Sequence, residues 1–507
     1  MNNSPALMFI YKRKNSLSML SFTRNLTRRS LQQYITSTRT WIPCSPTNLS
    51  IRPLPSNIIT LRLPTMDRGI KRKAESILEE AKKSVKLDDY CNTPIRRSSE
   101  GEKIWPAPRD QLKSAYDFIR ECAKAQKSTL IVPDKDADGL SAGVIMYRTL
   151  VKLGLEEKNL DVHLVKKGSN IHEEFERKAM AEKKPSYVIV LDQGSRGGLP
   201  VIDDKSAKCM IIDHHLSDDF PKNTIIVSGC HCPPVPTTAL MTYEICKELH
   251  PDIAQECGYL CAIGTHGDLG NTIKWIPPFP DMKETFKKHT KKLINDCVSF
   301  INAPRRTGTY DVITAWKALL EAKDPKEIMT NKRLAEARRE INEEVEKQTH
   351  TPPKFSKDGK VAVLKIESEA QVHPVIATRW AGFLKSKALE IVMVANYGYL
   401  PGKVNFSCRI ARCARGRDPP VNIIESLKAV ANLDTTDLVE RLGDNFARGH
   451  KEASGGIVNT AEFEELCALM KVGEKAEKAE KSEQDASMKK VEKSPQKNTL
   501  NNYFKKS

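Results

Sequence analysis

No stretch of this 507-residue chain approaches the ~20 consecutive apolar residues of a membrane-spanning helix, so a helical span is excluded. Its 13 cysteines contain no C-x-x-C pair, which removes the commonest zinc and dithiol signatures. Cys230 and Cys232 flank His231, but Pro233 and Pro234 follow at once and further zinc ligands are not in view. Reduced thiols in an intracellular protein are the better reading. No internal repeat occurs, which excludes a solenoid. Acids are absent from the first 66 residues, although these hold nine Lys or Arg; the first acid is Asp67.

The net charge of +17 is therefore uneven. Residues 1–66 carry much of it, and Lys471 to Ser507 adds ten Lys against six acids, so the body between is only mildly basic. Total charge argues weakly for nucleic-acid binding, and local chemistry must carry the case. The acid-free start has the composition of a mitochondrial presequence, with Met19 to Ile35 able to form a basic amphipathic helix. Alternatively the chain begins at Met66, which places Lys71-Arg72-Lys73 near a new terminus as a nuclear address. The nucleus is the expected location, with the mitochondrion added if 1–66 is a presequence.

Globular texture starts at Lys103. Short apolar runs (Leu130 to Val132, Val162 to Val165, Tyr187 to Leu191, Met210 to Ile212) alternate with longer helical stretches. Such runs suit strands of a parallel sheet buried on both faces. The expected class is α/β, organised as a basic extension (1–66), a linker (67–102) and a parallel-sheet domain (103–330). A helical connector (331–354) leads to a smaller α/β domain (355–470) and a disordered tail (471–507). In the smaller domain Val361 to Ile366 and Ile391 to Ala395 read as strands. Val375 to Leu384 and Val421 to Ala431 read as helices.

Three runs end in acids. The first meets Asp134, Asp136, Asp138 and Gly139; the third meets Asp192; the fourth meets Asp213-His214-His215. Asp268 follows a helical segment from Cys257 to Ile263. In an open parallel sheet ligands bind beyond the carboxyl ends of the strands, so these clusters should converge on one edge. Carboxylates that close repel and desolvate at high cost unless cations neutralise them. Oxygen donors mixed with imidazole suit Mn²⁺ or Mg²⁺, and two such ions bridged by one carboxylate can hydrolyse a phosphoester. Taken singly, D-x-D-x-D-G also fits a surface turn or calcium loop, and Asp-His-His a strand-end cap.

The segments D-K-D-A-D-G-L-S-A, V-L-D-Q-G, I-I-D-H-H and A-I-G-T-H-G-D-L resemble the four motifs of DHH phosphoesterases. Ile301 to Arg306, Gln371 to Trp380, Phe406 to Arg409 and Arg448 to Gly456 resemble the RecJ branch with its DHHA1 domain. RecJ is a single-strand DNA exonuclease. The resemblance implies that Asp136, Asp138, Asp192, His214 and Asp268 hold two Mn²⁺ or Mg²⁺ ions, with Asp192 the bridge. It places Asp134 and His215 in catalysis, and Arg306, Ser407, Arg409 and His450 on the phosphate backbone. Arg305 stands where the family has Gly, and Arg448 replaces the first Gly of Gly-Gly-His, which puts substrate length and strand path in question. Short oligonucleotides, cyclic dinucleotides or polyphosphate are alternative substrates. A catalytically inactive replication scaffold is the alternative of another class.

In the apolar-poor tail, Leu500, Tyr503 and Phe504 fall at i, i+3 and i+4, on one side of a helical turn. The trio resembles the box that binds the sliding clamp PCNA, with Lys497 where Gln is usual. The expected partners are thus single-stranded nucleic acid and PCNA, with no membrane.

Overall fold

The computed structural model describes residues 90–434 and 436–474. The extension at 1–66 and the tail trio Leu500, Tyr503 and Phe504 lie outside the described residues. Five strands, β1 (Thr129–Pro133), β2 (Leu160–Val162), β3 (Tyr187–Leu191), β4 (Lys208–Asp213) and β5 (Thr224–Ser228), form an all-parallel sheet in the order β2-β1-β3-β4-β5. Every residue of β1 and β3 is buried, as expected of runs covered on both faces. Alternation divides them between two cores: Ile131, Ile189 and Ile212 face one, and Leu130, Val188 and Ile211 the other. The larger core is covered by α1 (Arg109–Ala125) and α2 (Ala137–Lys152); α3 (Glu174–Glu182) covers the smaller. Further helices α4 (Thr238–Leu249), α5 (Gly258–Leu269), α6 (Lys291–Asn302) and α7 (Val312–Glu321) extend the larger core.

In this first domain two expected elements fall elsewhere. The second strand is Leu160–Val162 rather than Val162 to Val165. Beyond His163 the chain leaves the sheet because the buried Glu176 carboxylate accepts the Lys166 N–H and pairs with the His163 ring, each at 2.7 Å. Asp268 does not follow its helix but lies within the last turn of α5.

The long helix α8 (Lys332–Gln348) leads to a six-stranded sheet: β6 (Lys354–Phe355), β7 (Val361–Ile366), β8 (Ile391–Leu400), β9 (Lys403–Ile410), β10 (Arg448–His450) and β11 (Ala453–Asn459). Its order is β10-β11-β9-β8-β7-β6, and only β7 and β8 run parallel. That crossover is made by α9 (His373–Phe383), and α10 (Ile423–Ala431) and α11 (Thr460–Leu469) complete a separate core. β8 runs five residues past the expected end at Ala395, with a register shift between Asn396 and Leu400. No described helix is long and apolar enough to cross a membrane.

Candidate metal centre

Register brings the acids together. Pro133 pairs with Leu191 and Leu191 with Ile212, so Asp134, Asp192 and Asp213 each follow an aligned position at the carboxyl edge. After β1 the chain crosses to β2 on one side, while β3 lies on the other. The acids therefore surround the switch point where open sheets hold ligands. Asp136 caps α2, its Oδ1 accepting the N–H groups of Asp138 and Gly139 at 3.0 and 3.3 Å. A Cβ on Gly139 would lie 2.7 Å from the Asp134 backbone, so glycine here permits close approach.

Asp138 is wholly buried, its two oxygens accepting the Thr238 and Ala239 N–H groups at 2.8 and 3.0 Å at the start of α4. Asp192 is 3 % exposed, sits at φ +65°, and accepts from the Thr238 hydroxyl at 3.0 Å. A left-handed Asp directly after a strand is the kind of local strain that clusters at functional sites. Asn302 Oδ1 receives both the Ala137 N–H and Arg305 Nε, tying α6 to the start of α2. Thr238 carries no signal that marks it as a site residue in the sequence, whereas Asp213 and Asn302 lie in segments singled out there without a role of their own.

His214 lies at the centre. Its Nε2 is 3.2 Å from Asp268 Oδ2, 3.3 Å from Asp192 Oδ1 and 3.9 Å from Asp138 Oδ2, yet makes no hydrogen bond. Three sets of side chains bring one donor atom each within 4.8 Å: Asp192, His214 and His215; Asp138, His214 and Asp268; Asp134, Asp136 and Asp192. Asp192 and His214 are each shared by two sets. Cys230, Cys232 and His231 enter none of these sets among the described residues.

The electrostatics fit a cation site. Burial, then the Asp268 charge, pushes Asp138 up to about 7; burial and Asp138 raise Asp192 well above the carboxylate range. Burial opposes charge on His214, but Asp192 and Asp268 hold it well above its ordinary value. Without a cation the cluster must retain protons to be stable. An unbonded buried nitrogen among carboxylates is a donor set for a hard or borderline divalent ion. His215 is more exposed; its Nδ1 is 2.8 Å from Asp213 Oδ1, which raises its pKa.

Basic side chains from both domains stand near this edge: Arg305 and Arg306 beside Asp136, and Arg409 on β9, which shares the neighbour His373 with Arg306. Ser407 and Arg409 lie two apart on β9, so both face the same way, and Arg409 donates to the Ser407 hydroxyl at 2.8 Å. Arg306 is half-buried, and burial followed by Arg305 lowers it to about 10; Asp136 is close enough to oppose that shift. Arg305 stands 3.9 Å from Asp136. Buried His373 feels both Arg409 and Arg306. His450 belongs to β10, and its side chain lies outside the described residues. Lys167 and Tyr399, not anticipated from sequence, complete the wall. Lys167 Nζ lies 4.4 Å over the Tyr399 ring and donates to the Glu369 carbonyl at 2.7 Å.

Comparison with known proteins agrees with this geometry. Residues 128–265 match the DHH family, N-terminal domain. The fold is similar to that of RecJ in complex with Mn²⁺ from Thermus thermophilus, with TM-score 0.51 and 18 % identity over 76 % of this chain and 56 % of that one. The chain thus spans little more than half of that protein. A DHH domain of a member of the s1p family of ribosomal proteins is also similar, with TM-score 0.52 and 14 % identity over 80 % of this chain and 98 % of that one. No curated protein matches the chain in sequence. Residues 128–265 are thus similar to the DHH family N-terminal domain, and the chain has a RecJ-like α/β fold.

Proposed function

We propose that this chain is a metal-dependent phosphodiesterase that degrades single-stranded nucleic acid, DNA in particular, as an exonuclease in replication or repair. The observation that carries the reading is the convergence of five carboxylates and His214 at one sheet edge, opposite the guanidinium groups of Arg306 and Arg409. Anionic substrate bridges such a divide: its scissile phosphate meets the acidic edge through cations, and neighbouring phosphates meet arginine.

Asp136, Asp138, Asp192, His214 and Asp268 would hold two Mn²⁺ or Mg²⁺ ions, with Asp134 beside them; the RecJ of similar fold is described with Mn²⁺. Bound there, the ions supply an activated water and charge stabilisation of the leaving oxygen. The chain itself does the rest. Asp213 fixes the His215 ring through Nδ1 and favours its charged form, leaving Nε2 to donate toward a phosphate oxygen. Ser407 and Arg409, joined by their hydrogen bond, present donors to the next phosphate, and His450 belongs to the same reading.

A second enzymatic reading, hydrolysis of short oligonucleotides, cyclic dinucleotides or polyphosphate, is favoured by Arg305. Its side chain is only 16 % exposed and narrows the space beside Asp136. An inactive replication scaffold would need neither the unbonded His214 nitrogen nor a left-handed Asp192. The tail trio Leu500, Tyr503 and Phe504 fits recruitment by PCNA in the nucleus. Calorimetric titration of the tail peptide should give binding that Tyr503→Ala with Phe504→Ala removes, because aromatic anchors commonly contribute ~2 kcal/mol or more each.

The enzymatic test uses the purified chain with Mn²⁺ and single-stranded DNA or RNA labelled at either end. Cleavage is expected from one end. Asp192→Ala and His214→Ala should each lose on the order of a thousandfold or more, the kinetic equivalent of several kcal/mol of metal-borne stabilisation. Undiminished cleavage by Asp192→Ala defeats the mechanism. Inertness of the intact protein toward every phosphoester favours the scaffold.

A further inference from the structure

Helix α5 presents Asp268 to the metal centre, and the chain that follows builds a second surface which that centre does not use. A cleft of about 430 Å³ is lined by Trp275, Met282, Phe286, Lys283, Lys287 and Lys291, with Asp281 at its rim. Trp275 stands only seven residues beyond Asp268, and His266, two residues before it on the same helix, lies beneath the cleft. The His266 ring stacks on Phe286 with centroids 5.7 Å apart and planes 13° apart. Trp275 packs on Phe286 at 5.8 Å and on Phe279 at 6.2 Å.

The charge around this aromatic floor is arranged unevenly. His266 is 2 % exposed, neither ring nitrogen has a hydrogen-bond partner, and its ring face is covered by Phe286, so the floor is apolar in character. Buried Trp275 Nε1 likewise has no acceptor. Lys283 is engaged by Asp281 at 3.0 Å, and Lys287 only loosely by Glu284 at 3.7 Å. Lys291 has no carboxylate partner among the described residues and lies 5.3 Å over Phe286. Half-buried aromatic rings beside a group of lysines, of which Lys287 is loosely paired and Lys291 has no carboxylate partner among the described residues, form the pattern that takes a stacked base with its flanking phosphates.

We propose that this cleft is a second subsite for single-stranded nucleic acid. It stacks a base against Trp275, which Phe286 backs, and holds neighbouring phosphates at Lys287 and Lys291, away from the scissile bond. The proposal rests on the reading that the substrate is single-stranded nucleic acid. It gives length dependence to an enzyme whose chemistry alone has none. An acidic peptide is the competing occupant, but it would leave the ring faces without a matching planar group.

Binding is measured by fluorescence anisotropy of the full chain with labelled oligodeoxythymidine of about 16 nucleotides in chelator, so that cleavage plays no part. Lys287→Glu with Lys291→Glu, and separately Trp275→Leu, should each weaken binding roughly tenfold, and only the lysine change should flatten the salt dependence. Cleavage of thymidine 5′-phosphate p-nitrophenyl ester with Mn²⁺ should stay unchanged in all variants, because so small a substrate does not reach the cleft. Unaltered affinity for the oligomer in both variants overturns the proposal. Equal losses on the oligomer and the small ester also overturn it, since the changes would then act through Asp268. An intact protein that binds the oligomer with these sensitivities but cleaves no phosphoester supports the subsite while refuting the catalytic reading. One that binds no oligomer overturns both.

Discussion

His373 opens helix α9 with 2 % of its surface exposed and its Nδ1 unbonded. Burial, then the positive charge of Arg409, pushes its pKa down to about 3. The folded protein thus keeps the ring neutral, whereas the unfolded chain takes up a proton near pH ~6.5. Because the unfolded state binds the extra proton, this contribution is intact above pH ~6.5 and is lost progressively as pH falls toward about 3. By pH ~5 the loss should reach ~2 kcal/mol, at ~1.4 kcal/mol for each unit below the unfolded value. Urea unfolding at pH ~7.5 and ~5 should show that His373→Asn removes this part of the acid sensitivity; identical pH losses in both proteins would refute it. Such partners explain what sequence reveals and what it hides. Asp134, Asp136, Asp138, Asp192 and His214 are legible because acids at the ends of short apolar runs form a local pattern. Thr238 is not, since it meets Asp192 only through folding, from 46 residues away, and the Asn302 contact with the start of α2, 165 residues away, is hidden although its segment is legible.

At the level of elements, the centre depends on three helices meeting closely. α2 carries Asp138, the first turn of α4 supplies its two N–H donors, and α5 brings Asp268 across both. Gly264 makes the last approach possible: a Cβ there would lie 2.3 Å from the Ala239 Cβ and 2.7 Å from Asp138 Oδ1. Alanine ordinarily favours a helix interior by ~1 kcal/mol over glycine, but overpacking of this kind costs ~1–3 kcal/mol and should win. Gly264→Ala should therefore lower stability and raise the Mn²⁺ concentration needed for activity. Adding Ala239→Gly should recover part of the stability while leaving the metal defect, because the contact with Asp138 persists. A stable Gly264→Ala protein with unchanged metal requirement would contradict this packing. Strands β1, β3 and β4 are legible as buried runs, and so is β7. β2 is displaced because a carboxylate from α3 captures the chain, and that competition is tertiary. β5 is not legible: Thr224 to Ile226 are only half-buried at the sheet edge, so hydrophobic continuity is weak there.

For the molecule as a whole, charge matters by position rather than by total. Most of the excess of +17 belongs to the two ends of the chain, while the body is only mildly basic. Yet Arg306 and Arg409 both act on His373, Arg306 is near Asp136, and Lys167 lies over Tyr399 of β8. Lys167, from the loop after β2, reaches the carbonyls of Gly308 and Glu369, and the Gln371 N–H meets the Arg306 carbonyl at 2.7 Å. These contacts fix the two sheets to one another through backbone groups. The exposed Arg196–Asp444 pair at 2.7 Å adds little, as surface ion pairs generally do. If Arg306 and Arg409 grip nucleic acid, binding should weaken steeply with salt, and each phosphate contact removed should flatten the logarithmic slope by ~0.7 for a single strand. Arg409→Ala should do so and raise KM, without changing the Mn²⁺ requirement, since Arg409 belongs to β9 and to none of the metal-holding sets. Deleting the lysine-rich tail should leave the requirement for Arg409 in place, because diffuse charge cannot substitute for a guanidinium positioned against Ser407. The measurement is KM across a salt series for the intact chain, Arg409→Ala, and both in tail-deleted form. A slope that follows the tail and ignores Arg409 would transfer nucleic-acid binding from the second sheet to the terminus.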